Sequence, residues 1–394
     1  MQTIKLFKFL FSFVLSLILF SCSKEESIPD LNIQNANQVR TSTGAQMQFI
    51  VSLKEISTGN TSVDYTLVDG TAKASKDFVA ASGTVTIAAN EKQAIIGVQI
   101  IGDPTNLRQD NLTFTVQLSN PKNCNLIGTF ATGTIICEDG TYLPTDNMGY
   151  STPNNYAGYT LVWSDEFSDA SLNNSNWNQE IGNNNGWGNN ELEYYTKSLK
   201  NTFLSNGNLI IEARREVTGS FNYTSGRMTT QGKRVFKYGR IDIRAKLPVD
   251  KGLWPALWML GSNINDVGWP SCGEIDIMEL VGDYPNRTTG TLHWGSSSNA
   301  HIYKGADYYL TTGDFSEEFH VFSIVWQEDN IKWYVDDNLF YTKTTNDLGV
   351  EINPFSLDQF FIFNVAVGGN WPGSPDGTTQ FPQRMFVDYV RVFQ

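Results

Sequence analysis

Histidine is scarce in this chain: 394 residues hold three, His293, His301 and His320, and none sits in an HExxH pattern. Paired CxxC motifs, a P-loop and a dinucleotide fingerprint are also missing, which removes metalloprotease, zinc-finger and nucleotide-dependent chemistry. Positive charge is in short supply, with 28 Lys and Arg against 41 Asp and Glu for a formal net charge of −13. Nucleic acid or an anionic membrane surface needs clustered Lys or Arg, so a neutral ligand is the easier partner. Tryptophan is absent from the first 162 residues, and all ten lie between Trp163 and Trp371. The two parts of the chain therefore differ in kind, and the aromatic chemistry belongs to the second.

What is present is enough for two folded units, since 40% of the residues are hydrophobic and the length exceeds one typical domain. Residues 1–21 read as a secretory signal: Lys5 and Lys8 start it, an apolar run reaches Phe20, and small Ser21 and Cys22 follow. The apolar run is too short for a transmembrane helix. "LFSC" resembles a bacterial lipoprotein signal, which implies that Cys22 becomes the lipidated first residue. The following "SKEES" resembles acidic signals that send lipoproteins to the outer surface. The expectation is an exported protein, lipid-anchored to the outer membrane at the cell surface, touching membrane only through that anchor; an ordinary signal with an incidental cysteine is the alternative. Cys124 and Cys137 flank a strand-turn-strand pattern in an exported chain, and a disulfide between them is expected, although spacing leaves their separation open. Cys272 has no base as a sequence neighbour and reads as a buried inert thiol.

Residues 22–30 read as a polar tether. From 31 to 138 short alternating stretches, among them 46–53, 83–87, 94–101 and 112–118, are broken by Gly, Asn and Asp clusters, the pattern of a small antiparallel β-sandwich. The run "GTAKASKDFVAASGTVTIAANEKQAIIGVQIIGD" with "FTVQLSNP" resembles a Calx-beta domain, an Ig-like sandwich. Such domains often hold calcium through acids after the "IIGD"-like strand, but here Asp103 is followed by Pro104, Thr105, Asn106, Leu107 and Arg108, which departs from that pattern. With no Trp, and only Tyr65 and Tyr142 up to that point, this part offers little for stacking on sugar rings and reads as a spacer. Residues 139–155, rich in Gly, Pro, Asn and Asp, read as a linker. Strand patterns return and fill 156–394 with no long helical periodicity, so an all-β fold of two sandwiches is expected, the second a large one.

"GEIDIMEL", Gly273 to Leu280, places Glu274, Asp276 and Glu279 in an otherwise apolar strand. Burying three carboxylates costs hydration and sets like charges together, so the cluster needs a reason. A calcium site, a structural network and catalysis all remain open on the strand alone. A retaining glycosidase needs two carboxyl groups about 5–5.5 Å apart, one as nucleophile and one as acid/base. Side chains on a strand alternate faces, which puts Glu274 and Asp276 together and Glu279 opposite. A β-bulge at Ile277-Met278 would rotate Glu279 onto the shared face.

That strand, with "GLWPALWML" before it, resembles the active-site region of glycoside hydrolase family 16, and the extra Met278 resembles its laminarinase-type branch. The likeness runs through the whole C-terminal part: "LVWSDEF", "GWGNNELEYYT", "NGNLIIEARRE", "SGRMTT", "GRIDIRAKLP", "GTLHW", "FHVFSIVW", "IKWYVDD", "NVAVGGNWPG" and "FPQRMFVDYVRV". The resemblance implies a β-jelly-roll with a concave catalytic cleft, Glu274 as nucleophile, Glu279 as acid/base and Asp276 as their assistant, with no cofactor for catalysis.

The same resemblance turns several residues toward the cleft that could otherwise have bland roles. Trp254 and Trp258 would stack on sugar, core packing being the alternative. Trp187, Asn189 and Asn190 would form a cleft edge rather than a surface loop. Arg227 would donate to hydroxyls, and His293 would bond the catalytic acids instead of sitting satisfied in the core. Asn370, Trp371 and Gln380 are weaker candidates in a Gly-Pro loop context. A structural Ca2+ remote from the chemistry is implied at Glu166 and Gly207, through backbone carbonyls, and at Asp388. The expected function is endo-hydrolysis of internal β-1,3-glucosidic bonds in a laminarin-like neutral glucan by a monomer. Mixed-linkage glucanase, algal galactan hydrolase and a non-catalytic glucan-binding lipoprotein are the other readings.

Overall fold

The computed structural model describes residues 28–346 and 348–394, so the signal segment, Cys22 and most of the tether lie outside the described residues. Two compact units are present. Strands of the first are β1 Asp30–Ile33, β2 Ala36–Val39, β3 Ala45–Leu53, β4 Thr61–Asp69, β5 Ser82–Ile87, β6 Gln93–Ile100, β7 Leu112–Lys122, β8 Asn125–Leu126 and β9 Phe130–Ile136. They form one sheet in the order β6-β3-β1-β8 and another in the order β2-β9-β7-β4-β5. Alternation explains the sandwich: Met47, Phe49, Val51 and Leu53 of β3 are buried, as are Ile96, Val98 and Ile100 of β6 and Phe114, Val116 and Leu118 of β7.

Boundaries of the compact units differ from the sequence expectation. Val39–Thr43 and Gly102–Asn111 belong to the second compact unit, as does everything from Ile136 onward. The segment expected as a linker is tied down within that unit: the Arg244 guanidinium donates to the carbonyls of Asn147 and Tyr150, and the Thr152 N–H donates to the Tyr389 hydroxyl. Turn-forming composition signalled irregular backbone there, not freedom. The expected disulfide is also corrected, because no disulfide joins Cys124 and Cys137 among the described residues. On the β7–β9 ladder Gln117 pairs with Phe130 and Leu112 with Ile135, so Cys124 lies past one end and Cys137 past the other. Five ladder steps at ~3.3 Å put them well beyond disulfide reach.

Strands of the second unit are β10 Leu161–Asp165, β11 Asn178–Gln179, β12 Glu193–Tyr195, β13 Thr202–Ser205, β14 Asn208–Ala213, β15 Tyr223–Ser225, β16 Arg227–Thr229, β17 Gly239–Lys246, β18 Leu253–Gly261 and β19 Glu274–Glu279. They continue with β20 Arg287–Trp294, β21 Ile302–Tyr309, β22 His320–Trp326, β23 Asn330–Val335, β24 Asn338–Thr344, β25 Gln359–Val367 and β26 Gln383–Phe393. Helix among the described residues is confined to single turns such as Ile264–Val267. A seven-stranded sheet runs β11-β16-β25-β18-β19-β20-β21, and a second runs β13-β14-β26-β17-β22-β23-β24 with β10 against β26. Between them lies one apolar core in which Leu257, Met259, Ile275, Met278, Phe361 and Phe363 of the first sheet meet Ile241, Ile243, Phe322, Ile324, Trp333 and Val390 of the second. The face of the seven-stranded sheet turned away from that core carries the site.

Candidate active site

The bulge is where the strand pattern required it. Against β20, Asp276 pairs with Thr291 and Glu279 with Thr289, so Ile277 and Met278 together oppose Gly290. Against β18, Trp258 pairs with Asp276 and Leu257 with Met278, leaving Ile277 as the extra residue. Ile275 and Met278 point into the core, while Glu274, Asp276 and Glu279 share the opposite face. Two features hold the irregularity. The Trp333 indole, reaching up from β23, donates to the Asp276 carbonyl at 2.8 Å. A Cβ on Gly290 would lie 2.5 Å from the same indole, so glycine is what lets the ring come this close.

Glu274 and Glu279 each have an indole donor, while the buried Asp276 Oδ2 accepts no hydrogen bond. The Trp269 indole N–H donates to Glu274 Oε2 at 2.9 Å and the Trp254 indole to Glu279 Oε1 at 3.0 Å. His293 Nε2 stands 3.2 Å from Asp276 Oδ2 and 3.8 Å from Glu274 Oε1. The Asp276 side chain is 3% exposed, against 15% for that of Glu274. Burial, with the Asp276 charge second, pushes the Glu274 carboxyl up to about 8. Burial likewise raises Asp276 and Glu279 well above the ordinary carboxyl range, Glu279 further through Asp276. His293, Trp269 and Arg227 all act to lower Glu274, making it a group that can ionise while Glu279 keeps a proton. The three titrate as one coupled set.

Around them the cleft floor is built from neighbouring strands. The Trp258 indole donates to Asn364 Oδ1 at 2.8 Å, and Asn364 in turn donates to the Tyr195 hydroxyl at 3.1 Å. The Arg227 guanidinium lies over Trp187 at 4.5 Å and Trp258 at 4.9 Å, and its Nε donates to Glu180. At one edge Asn190 donates to the Asn370 side chain, the Asn370 N–H donates to the Asn189 carbonyl, and Trp371 meets Trp254 edge-on at 5.4 Å. Trp371 is 44% exposed at the rim.

Gln380 is not joined to this group; its N–H donates to Asp250 and its side chain to the Thr378 carbonyl. Sequence reasoning did not single out Glu180, Trp269, Asn364, Tyr195 or His301. Asn364 carried a readable signal, as the one polar residue inside the run "FFIFNVAV" of β25. Glu180 and His301 carried none, since their partners come from other strands. Cys272 is a buried thiol pushed up to about 11, mainly by burial and then by Glu274, and packs with Leu260, Phe360 and Ile362.

At the residues expected to hold calcium, the Glu166 and Asp388 side chains are paired with arginines, so ligation there would fall to backbone carbonyls. Arg391 donates to both Glu166 oxygens, at 2.9 and 2.7 Å, and Arg244 donates to Asp388 at 2.8 Å, so each carboxylate already has a cation. Asp388 is the residue skipped in the β17–β26 register, and Gly207 follows Asn206 in the left-handed pair of the β13–β14 turn. Among the described residues, the His, Cys, Asp and Glu donors that gather within 4.8 Å are those of Glu274, Asp276 and His293. Those atoms are the carboxylate–imidazole contacts already described.

Relatives carry the same unit. The profile of glycosyl hydrolases family 16 matches residues 172–391, more than half of the chain and the whole of the carboxylate strand. A second profile, that of the beta-glucan synthesis-associated protein SKN1/KRE6/Sbg1, matches residues 67–274 and stops before Asp276 and Glu279. Over 272 residues the chain is 41% identical to a glucan endo-1,3-beta-glucosidase A1 from Niallia circulans, covering 63% of this chain and 40% of that protein. It is 40% identical over 249 residues to a beta-glucanase from Rhodothermus marinus, covering 60% of this chain and 85% of that one. Among solved structures, the laminarinase catalytic domain from Thermotoga maritima MSB8 superposes with a TM-score of 0.56 at 53% identity, covering 60% of this chain and 98% of that domain. The chain thus spans well under half of the Niallia circulans protein but nearly all of the isolated catalytic domain. Three acids brought to one face by a bulge, aromatic and amide groups beside them, and a profile match through the whole unit lead to one statement: the chain belongs to glycosyl hydrolases family 16.

Proposed function

We propose that the protein is a retaining endo-glycosidase that cuts internal β-1,3-glucosidic bonds of a laminarin-like glucan. The bulge at Ile277-Met278 carries this reading, because it gathers a nucleophile and an acid/base on one face of one strand. Glu274, the carboxyl with His293, Trp269 and Arg227 to favour its charge, attacks the anomeric carbon. Glu279, held protonated, delivers its proton to the leaving glycosidic oxygen. It then takes a proton from the water that opens the glycosyl-enzyme ester, which restores both carboxyls. Asp276 keeps His293 close, and burial first, with Asp276 beside it second, keeps the proton on Glu279.

Specificity for β-1,3 links rests on the names of the similar proteins and on a cleft lined by indoles, amides and one arginine, which suits a neutral glucan. Glu274→Gln is expected to abolish release of reducing ends from laminarin while leaving oligosaccharide binding largely intact; unchanged turnover would sink the assignment. A panel of laminarin, lichenan, agarose and carrageenan separates this substrate from mixed-linkage glucan and galactan, and binding of laminarin without cleavage by the wild-type protein would favour a glucan-binding role instead. Surface anchoring through Cys22 is part of the proposal. Cys22→Ala should move the protein from the membrane fraction to the soluble one.

A further inference from the structure

His301 entered the sequence reading with no role, yet it is the second of two imidazoles in line with the catalytic acids. His293 Nδ1 and His301 Nε2 are 2.9 Å apart. The ring planes differ by 7° and the centroids are 5.1 Å apart. That separation equals the nitrogen contact plus the two ring radii, so the rings lie edge to edge in nearly one plane, the geometry of an in-line hydrogen bond rather than of a face stack. His301 is held there by Trp269, whose ring centroid is 4.6 Å away and whose indole N–H bonds Glu274. Tyr303 flanks both imidazoles, at 5.8 Å from His293 and 5.9 Å from His301.

We propose that His301 is a positioning residue that fixes the tautomer and orientation of His293 toward Asp276 and Glu274. With the proton of neutral His293 on Nε2, the nitrogen 3.2 Å from Asp276 Oδ2, its Nδ1 must accept, and the donor available to it is His301 Nε2–H. When His293 carries a second proton the bond reverses: Nδ1–H donates to a lone pair on His301 Nε2, whose own proton then sits on Nδ1. Burial and the neighbouring His293 hold His301 below the usual imidazole range, so it stays neutral and can serve in both directions. The titratable groups facing His293 are Glu274, Asp276 and Glu279 of β19, Tyr303 of β21 and His301 itself, with Arg227 the nearby cation among the influences on Glu274. Without the His301 bond His293 can turn or exchange tautomers, and the nucleophile loses a partner that favours its ionised form.

The role rests on the retaining-glycosidase reading, and its test has one arm independent of activity. The whole chain holds three histidines, so nitrogen-15 NMR of labelled protein resolves each imidazole. Wild type is expected to show neutral His293 as the Nε2–H tautomer with a hydrogen-bonded Nδ1. His301→Phe, which keeps a ring beside Trp269, is expected to give a tautomer mixture. In kinetics the same variant should lower kcat roughly tenfold with little change in KM, by analogy with other groups that orient a functional histidine, and should move the acid limb of kcat/KM to higher pH. His301→Gln, which can still donate, should restore most of both. An unaltered His293 spectrum and an unmoved acid limb in His301→Phe overturn the proposal even if the enzyme cleaves glucan; a wild type without glycosidase activity would strike the proposed function and leave the spectrum to decide the histidine pair.

Discussion

Three carboxyl groups on one strand face are raised by burial, Glu274 and Glu279 by the Asp276 charge as well, and this has a sign that can be measured. Glu274 sits at about 8 in the folded chain against an ordinary value of 4.5. A carboxyl raised on folding binds protons more tightly in the native state, so stability is fully present below the ordinary value and is lost as pH rises toward 8. Glu274→Gln and Asp276→Asn should therefore raise the melting temperature by several degrees near pH 8 and change it little near pH 4, while destroying activity. A thermal scan across pH checks this; equal shifts at both pH values would contradict it. At this scale the residue types were readable in the sequence and their partnerships were not. Trp254, Trp258, Arg227 and His293 stood in motifs, but Trp269 on Glu274 and His301 on His293 depend on loops whose paths no local pattern reveals.

Strand β19 was the most legible element because its anomaly is arithmetic. Period-two alternation puts Glu279 on the wrong face, and one extra residue removes the conflict. The sequence could not say what stabilises the bulge. Gly290 stands opposite, and Trp333 from the other sheet fills the space where a side chain would go. Gly290→Ala should push on that indole, destabilise the unit by about 1–3 kcal/mol as overpacking does, and lower kcat more than KM. Denaturant titration and steady-state kinetics measure the two effects; wild-type behaviour in both would mean that the bulge does not depend on this contact. Asn364 shows the complementary lesson, a polar residue isolated in a buried strand that bonds Trp258 on the cleft floor and was not singled out from the sequence.

For the whole molecule, two all-β units follow from alternation and turn chemistry, but their limits in sequence do not. Residues 102–111 look like a loop of the first sandwich and belong to the second compact unit. Arg108 shows why: it is 3% exposed and donates to Glu212 at 2.9 Å and to the carbonyls of Gly140 and Leu199. Glu212 also takes Arg214 and Arg384, so the arginine closes a buried network rather than forming a lone pair. Arg108→Ala should cost about 3 kcal/mol of stability in the second unit with kcat unaltered; an unchanged denaturation midpoint would contradict this. Composition marked 139–155 as a linker, and hydrogen bonds to Arg244 and Tyr389 hold it instead. Tertiary partners of that kind leave no trace in local composition.

The central claim is that the bulge in β19 makes a nucleophile and an acid/base out of Glu274 and Glu279. Proton NMR of the anomeric signals during the first minutes of laminarin hydrolysis tests it directly. The account predicts that new reducing ends appear as the β anomer and only later mutarotate; first appearance of the α anomer would contradict it.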